Sequence, residues 1–257
     1  MAIGDSFTEG LSDEDPARPG HYRGWADRLA ERLAADLPAG DGEAPPFGYA
    51  NLAVRGRLLA DVTGPQLHAA LALRPDLVSI VGGGNDTLRP RADVVALAAQ
   101  LERAVAQLRA AGADVLLVAP VDPQQAPVLR ATRGQVGAFV AQLRVIADRH
   151  GAHLIDLWTP RVLRDWRMWA PDRIHLTAEG HRRVALGGAQ ALGLPVTEDW
   201  TEPLPPASAA PRARAIRNDL HWVRHHLAPW VYRRVRGRSS GDFVTAKRPA
   251  LEPVRPI

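Results

Sequence analysis

Two short stretches carry the residue types that acyl-transfer chemistry requires. Ser6 stands in Gly4-Asp5-Ser6-Phe7-Thr8-Glu9-Gly10, and His175 closes the stretch Asp172-Arg173-Ile174-His175. A serine so early can cap a helix, or it can be a nucleophile on the turn after a first strand. The second role needs a base and a group to orient the base. An aspartate three residues ahead of a histidine on a loop can bring its carboxylate to the imidazole. It would then fix the tautomer and stabilise the imidazolium. Alone, the same pattern also suits a solvated aspartate in the loop before a helix.

Ester hydrolysis also builds negative charge on the former carbonyl oxygen, and one well-placed donor lowers that barrier by roughly 3 kcal/mol. Gly56, in Asn51-Leu52-Ala53-Val54-Arg55-Gly56, lets a backbone N–H approach a substrate with no Cβ in the way. Asn85, in Gly82-Gly83-Gly84-Asn85-Asp86, can offer a side-chain amide. Taken singly, each stretch is also an ordinary turn after a strand.

The elements that must position these residues follow from the apolar pattern. Short apolar runs at 1–4, 47–52, 76–81, 114–120 and 153–157 predict strands. Helical spacing predicts helices over 21–37, 58–73, 91–111, 134–150 and 177–192, with Gly112 and Thr177 as stop and cap signals. Strand–helix alternation of this kind argues a parallel sheet with helices on both faces. Sites in such sheets lie at the C-terminal strand ends, where Ser6, the Gly56 segment and Asn85 fall. A central first strand of only Met1-Ala2-Ile3 would be short, so about five further residues are expected upstream of it.

Ser, Gly, Asn and His occur in that order, each inside its own motif. In GDSFTEG, the Gly56 segment, GGND and DRIH the chain resembles the SGNH/GDSL hydrolase family over roughly residues 1–194. The resemblance implies a three-layer α/β/α, flavodoxin-like fold. It implies Ser6 as nucleophile and, through its N–H, as an oxyanion donor, with Gly56 and Asn85 as the other donors. His175 would be the general base and then acid, and Asp172 its orienter. The stretch Tyr22-Arg23-Gly24-Trp25-Ala26-Asp27 is similar to that of actinobacterial members. No cofactor is implied.

Around this core, Asp5 and Asp86 are expected to brace turns, and Trp158, Trp166 and Trp169 to pack the loop ahead of the Asp–His pair or to wall a substrate pocket. Asp122 is a candidate for the substrate side, and His181 is expected at the surface. His221, His225 and His226 have no carboxylate or cysteine at ligand spacing, so no metal site is expected.

The 257 residues contain no cysteine, which excludes disulfides, thiolate metal sites and a cysteine nucleophile. With no secretory leader or spanning apolar run in the sequence, a cytoplasmic protein is expected. Net charge is +4, but it is divided unevenly: residues 212–257 carry net +8 and residues 1–211 net −4. Lys247 is the single lysine. A hydrolase domain over 1–194 is followed by a proline-rich linker over 195–213. A basic amphipathic helix is expected over 214–236 and a disordered tail over 237–257.

The expected function is that of a serine esterase or lipase acting on small acyl esters, such as an acetylated sugar or a short-chain lipid, through an acyl-enzyme. The same site could transfer the acyl group to an alcohol or cleave thioesters. The alternative is a binding module with secondary or lost hydrolase activity, acting through residues 212–257. Those residues could dock on the body or contact an anionic membrane or a protein partner. Nucleic acid ranks last, because no recognised nucleic-acid fold accompanies the arginines and tryptophans.

Overall fold

Six strands form one sheet in the order β5-β4-β3-β1-β2-β6 in a computed structural model of the protein. The described residues are 1–36, 47–126, 128–206, 212–229, 232, 236 and 239–254, with the side chains of 212–216 left aside. The strands are β1 (Ala2–Ile3), β2 (Gly48–Asn51), β3 (Leu77–Ile80), β4 (Asp114–Ala119), β5 (His153–Asp156) and β6 (Arg248–Pro253). The first five run parallel, and β6 runs antiparallel along β2.

β4 shows why the sheet is central. Its run Val115-Leu116-Leu117-Val118-Ala119 is buried throughout. Leu116 and Val118 pack on one face, and Val115, Leu117 and Ala119 on the other. A strand covered on both sides reads as a continuous apolar run. On one face lie α3 (Leu59–Asp61), α4 (Leu67–Ala72), α6 (Val94–Ala110) and α7 (Arg133–His150). On the other lie α2 (Trp25–Asp36) and α8 (Ala178–Ala191). This is the three-layer α/β/α arrangement. Two single-turn helices, α1 (Ser6–Glu9) and α5 (Gly84–Thr87), sit directly after β1 and β3.

Local capping sets the helix starts, at Thr177 as the sequence suggests for α8 but at Asp93, beyond the expected start at 91, for α6. The Asp93 carboxylate accepts from Ala96 N–H to open α6, and Thr177 caps α8 through Gly180 N–H. The helix expected over 58–73 is interrupted by a π-helical stretch, Val62–Gln66, which contains Pro65. A proline removes a ladder donor and forces that adjustment.

The C-terminal region departs from its sequence reading. Helix α9 spans Arg212–Trp222 and continues as a π-helical stretch over Val223–Leu227. The remainder of the expected 214–236 helix lies largely outside the described residues. The 237–257 segment, expected to be disordered, instead contains β6, which extends the sheet beyond β2. Composition alone suggested disorder, but backbone pairing with a free sheet edge depends little on side-chain type. Lys247 fixes the start of β6. Its Nζ donates to Glu9 O at 2.7 Å and to Tyr22 O at 2.9 Å, and pairs with Asp27 at 2.5 Å. The 195–213 linker also packs on the body: Trp200 is buried, and its Nε1–H donates to Gln190 Oε1 at 2.6 Å. Residues 207–211 of it lie outside the described residues. Among the described residues no helix is long and apolar enough to cross a membrane.

Candidate active site

The loops after β1, β2 and β3 meet at the C-terminal edge of the sheet. Asp5 caps α1 by accepting from Phe7 N–H at 3.0 Å, which places Ser6 at the first position of that turn. The other Asp5 oxygen accepts from the Asn85 amide at 3.1 Å, and the same amide donates to Arg57 O at 3.0 Å. Two oxygen acceptors identify this end of the Asn85 side chain as nitrogen. The Ser6 loop, the Gly56 loop and the Asn85 loop are thereby joined through one amide.

Gly56 takes a left-handed φ of +72°, and a Cβ there would fall on Ser239 Oγ. The left-handed backbone favours glycine here, and a Cβ would in addition make the Ser239 hydroxyl turn away. Glu9, at the end of α1, supports the same loop. Its Oε2 accepts from Arg55 N–H at 2.7 Å, and its carboxylate pairs with the Arg55 guanidinium. Asp86 accepts from Leu59 N–H at 2.9 Å and so braces its loop, as expected.

The Asp172–His175 pair is made. His175 Nδ1 lies 2.6 Å from Asp172 Oδ2, while Asp172 Oδ1 accepts from the N–H groups of Ile174 and His175 at 2.9 and 3.0 Å. Burial pushes the Asp172 carboxyl up, but the His175 hydrogen bond and charge and these two backbone donors outweigh it. They hold the carboxyl below its ordinary range. A charged Asp172 keeps the proton on Nδ1 and leaves Nε2 as the acceptor nitrogen. The turn depends on Arg173, whose φ of +59° lies in the left-handed region. This loop stands close enough to the first one that the His175 charge acts on Asp5. Burial pushes the Asp5 carboxyl up to about 6, against the pull of Phe7 N–H and His175, with the Asp86 charge adding to the rise.

An apolar cavity of about 200 Å³ opens beside Asp5 and Phe7. Its wall includes Val118, Leu129, Val136, Leu157, Trp166 and Ile174. Of the three tryptophans singled out in the sequence, Trp166 and Trp169 line this cavity, whereas Trp158 packs on the core and under Arg133. Asp122 also lines it, with its carboxylate held by Arg133 at 2.7 Å and Arg164 at 3.1 Å. His181 is not at the surface. It is buried, with Trp25 N–H donating to Nδ1 at 3.2 Å and Leu11 O lying 3.3 Å from Nε2. Its place on the inner face of α8 overrides its polarity.

Sequence reasoning missed Glu9, Arg55 and Trp222. A charged pair whose members lie in separate motifs leaves no spacing signal. Trp222 was visible only as one aromatic among arginines, yet its Nε1–H donates to Asp172 O at 2.7 Å. Among the described residues no group of acidic, histidine or cysteine side chains could hold a metal ion.

The mostly parallel six-stranded sheet with helices on both faces matches the SGNH hydrolase fold. The chain belongs to the GDSL-like lipase/acylhydrolase family, whose model matches residues 2–183. Among solved structures it is similar to TesA, at 26% identity, with 74% of this chain and 96% of that chain covered and a TM-score of 0.57. It is also similar in fold to Axe2, an acetylxylan esterase from Geobacillus stearothermophilus, at 21% identity, 77% and 94% coverage and a TM-score of 0.58. A third similar fold is an α/β hydrolase enzyme from the metagenome of Lake Arreo, Spain, at 24% identity, 75% and 93% coverage and a TM-score of 0.59. No match was found among curated proteins.

Proposed function

We propose that this protein is a serine hydrolase of carboxylic esters that works through an acyl-enzyme on Ser6. Ser6 Oγ attacks the ester carbonyl and its proton passes to His175 Nε2. Asp172 balances the imidazolium that forms. The oxyanion takes hydrogen bonds from the N–H groups of Ser6 and Gly56 and from the Asn85 amide, which gives over one hydrogen it holds on Asp5 or Arg57 O. The C–O bond then breaks, and the leaving alcohol takes the proton from His175. Water enters, loses a proton to His175, and releases the acid and free Ser6 by the reverse sequence.

The observation that carries this reading is the 2.6 Å contact of His175 Nδ1 with a carboxylate held below its ordinary range. The neighbouring cavity supports an apolar acyl group in preference to acetate. A dry cavity of about 150 Å³ holds a benzene ring, and this one is about 200 Å³ with mostly apolar walls.

Fluorophosphonate labelling of the purified protein tests the reading, beside Ser6→Ala and His175→Ala and with a p-nitrophenyl ester series. Labelling should vanish in Ser6→Ala and weaken in His175→Ala, and turnover should favour acyl chains longer than acetyl. A folded protein that is neither labelled nor active overturns it and points to the binding-module alternative.

A further inference from the structure

Helix α9 lies beyond the residues that the family model matches. Its contacts nonetheless fall on two consecutive residues of the Asp172–His175 loop. Trp222 Nε1–H donates to Asp172 O at 2.7 Å. Arg173 stacks on Trp222 at 5.0 Å and on Trp166 at 5.4 Å, and its guanidinium pairs with Asp219 at 2.6 Å. Arg173 is the left-handed residue of the loop, a conformation that costs about 1–2 kcal/mol for a non-glycine residue and needs holding from outside. Among the described side chains of the helix, Trp222 is the most deeply buried against the body. Trp222 is 9% exposed, whereas Leu220 and Val223 on either side are 66% and 43% exposed.

Between α9 and the body lies a smaller cavity bounded by Trp222, Leu227, Trp166, Ile174, Leu88 and Asn85. It shares Leu88, Trp166 and Ile174 with the larger apolar cavity, so the two form one groove whose outer wall comes from the extension. We infer that α9 is part of the active site. Trp222 is a positioning residue for the Asp172–His175 pair, and Trp222 and Leu227 together set which acyl groups the outer groove accepts. This rests on the ester-hydrolase reading above.

The test uses the full chain and p-nitrophenyl esters from acetate to dodecanoate. Trp222→Phe keeps an aromatic wall and removes the donor. It should lower kcat about fivefold at every chain length, the value of one lost hydrogen bond, with KM little changed and Tm lower by only about 2–4 °C. Trp222→Ala and Leu227→Ala should in addition raise KM for the longer esters about tenfold relative to acetate. Leu220→Ala, exposed on the same helix, should change none of these. Trp222 variants with the kcat and chain-length profile of the unaltered protein would overturn the inference. An unaltered protein that hydrolyses none of the esters overturns the parent reading and this one with it.

Discussion

Glu9 and Arg55 join the turn that carries Ser6 to the loop that carries Gly56. The carboxylate takes both the Arg55 backbone N–H, at 2.7 Å, and its guanidinium, and the Glu9 side chain is almost fully buried. In the proposed mechanism the Gly56 N–H is an oxyanion donor, and such a donor is worth most when it needs no reorganisation during the reaction. Glu9→Gln keeps the shape but loses the charge, and should lower kcat about tenfold with KM little changed. It should also destabilise the fold by about 2 kcal/mol, because the Arg55 guanidinium loses its charged partner. Steady-state kinetics with a thermal melt separate the two effects. An unchanged kcat would mean that the Gly56 loop holds its shape without this pair.

The anchor of β6 is a second long-range pair, Lys247 on Asp27, with each side chain 13% exposed. Burial pushes the Asp27 carboxyl up, and the Lys247 charge and hydrogen bond act against that rise. Lys247→Met should destabilise the protein by about 3–5 kcal/mol, because it leaves the carboxylate buried with Gly24 N–H as its remaining donor. Adding Asp27→Asn should recover part of that loss. Urea titration of the single and double variants gives the coupling, and strictly additive losses would exclude a direct pair.

The body of the fold was legible because its strands and helices have distinct periods, and because the sequence blocks around Ser6, Gly56, Asn85 and His175 occur in order. Chemistry packed into short local motifs can be read without knowing what packs on what. The extension could not be read that way. β6 is held by backbone pairing, by Lys247 and by Arg248 over the Tyr49 ring, and none of these leaves a pattern in composition. Trp222 matters because of what it meets, the Asp172 carbonyl, and not because of its place in a helical stripe. On the amphipathic helix expected over 214–236, Leu220 and Val223 stay exposed, while Leu227 lines the cavity against the body. His181 was misplaced for a related reason. A histidine is polar by type, but here both ring nitrogens find backbone partners inside the protein.

Asp172→Asn tests the orienting role directly. The amide preserves the size of the side chain but presents a donor or a neutral acceptor to Nδ1, which lets the proton reside on Nε2 and blocks base catalysis. A drop in kcat of about 10³–10⁴-fold is expected, with fluorophosphonate labelling slowed in parallel. The substitution also carries a stability signature. The Asp172 carboxyl is held below its ordinary value of 3.8, so its contribution is present above about pH 4 and lost as pH falls through the folded value. The unaltered protein should therefore lose stability in strong acid more steeply than the variant. Equal rates of labelling in the two proteins would remove Asp172 from the mechanism.

His181 gives the opposite case, a group whose neutral form the fold requires. Burial lowers its pKa from 6.5 to about 3, opposed by the Leu11 carbonyl and helped by the charges of Arg28, Lys247 and His175. Between those values the unfolded chain binds a proton that the folded chain does not, so stability falls as pH drops from about 6.5 toward 3. Between about pH 7.5 and pH 4.5 this one group should remove about 2–3 kcal/mol. Asp5 acts in the other direction over part of the range. Its folded value is about 6 against 3.8 unfolded, so acidification relieves a buried charge there. His181→Gln isolates the histidine, because an amide can accept from Trp25 N–H or donate to Leu11 O without titrating. The variant should be less stable at neutral pH yet lose less on acidification, read as the change in urea midpoint between the two pH values. The same loss in both proteins would place the acid sensitivity elsewhere in the fold.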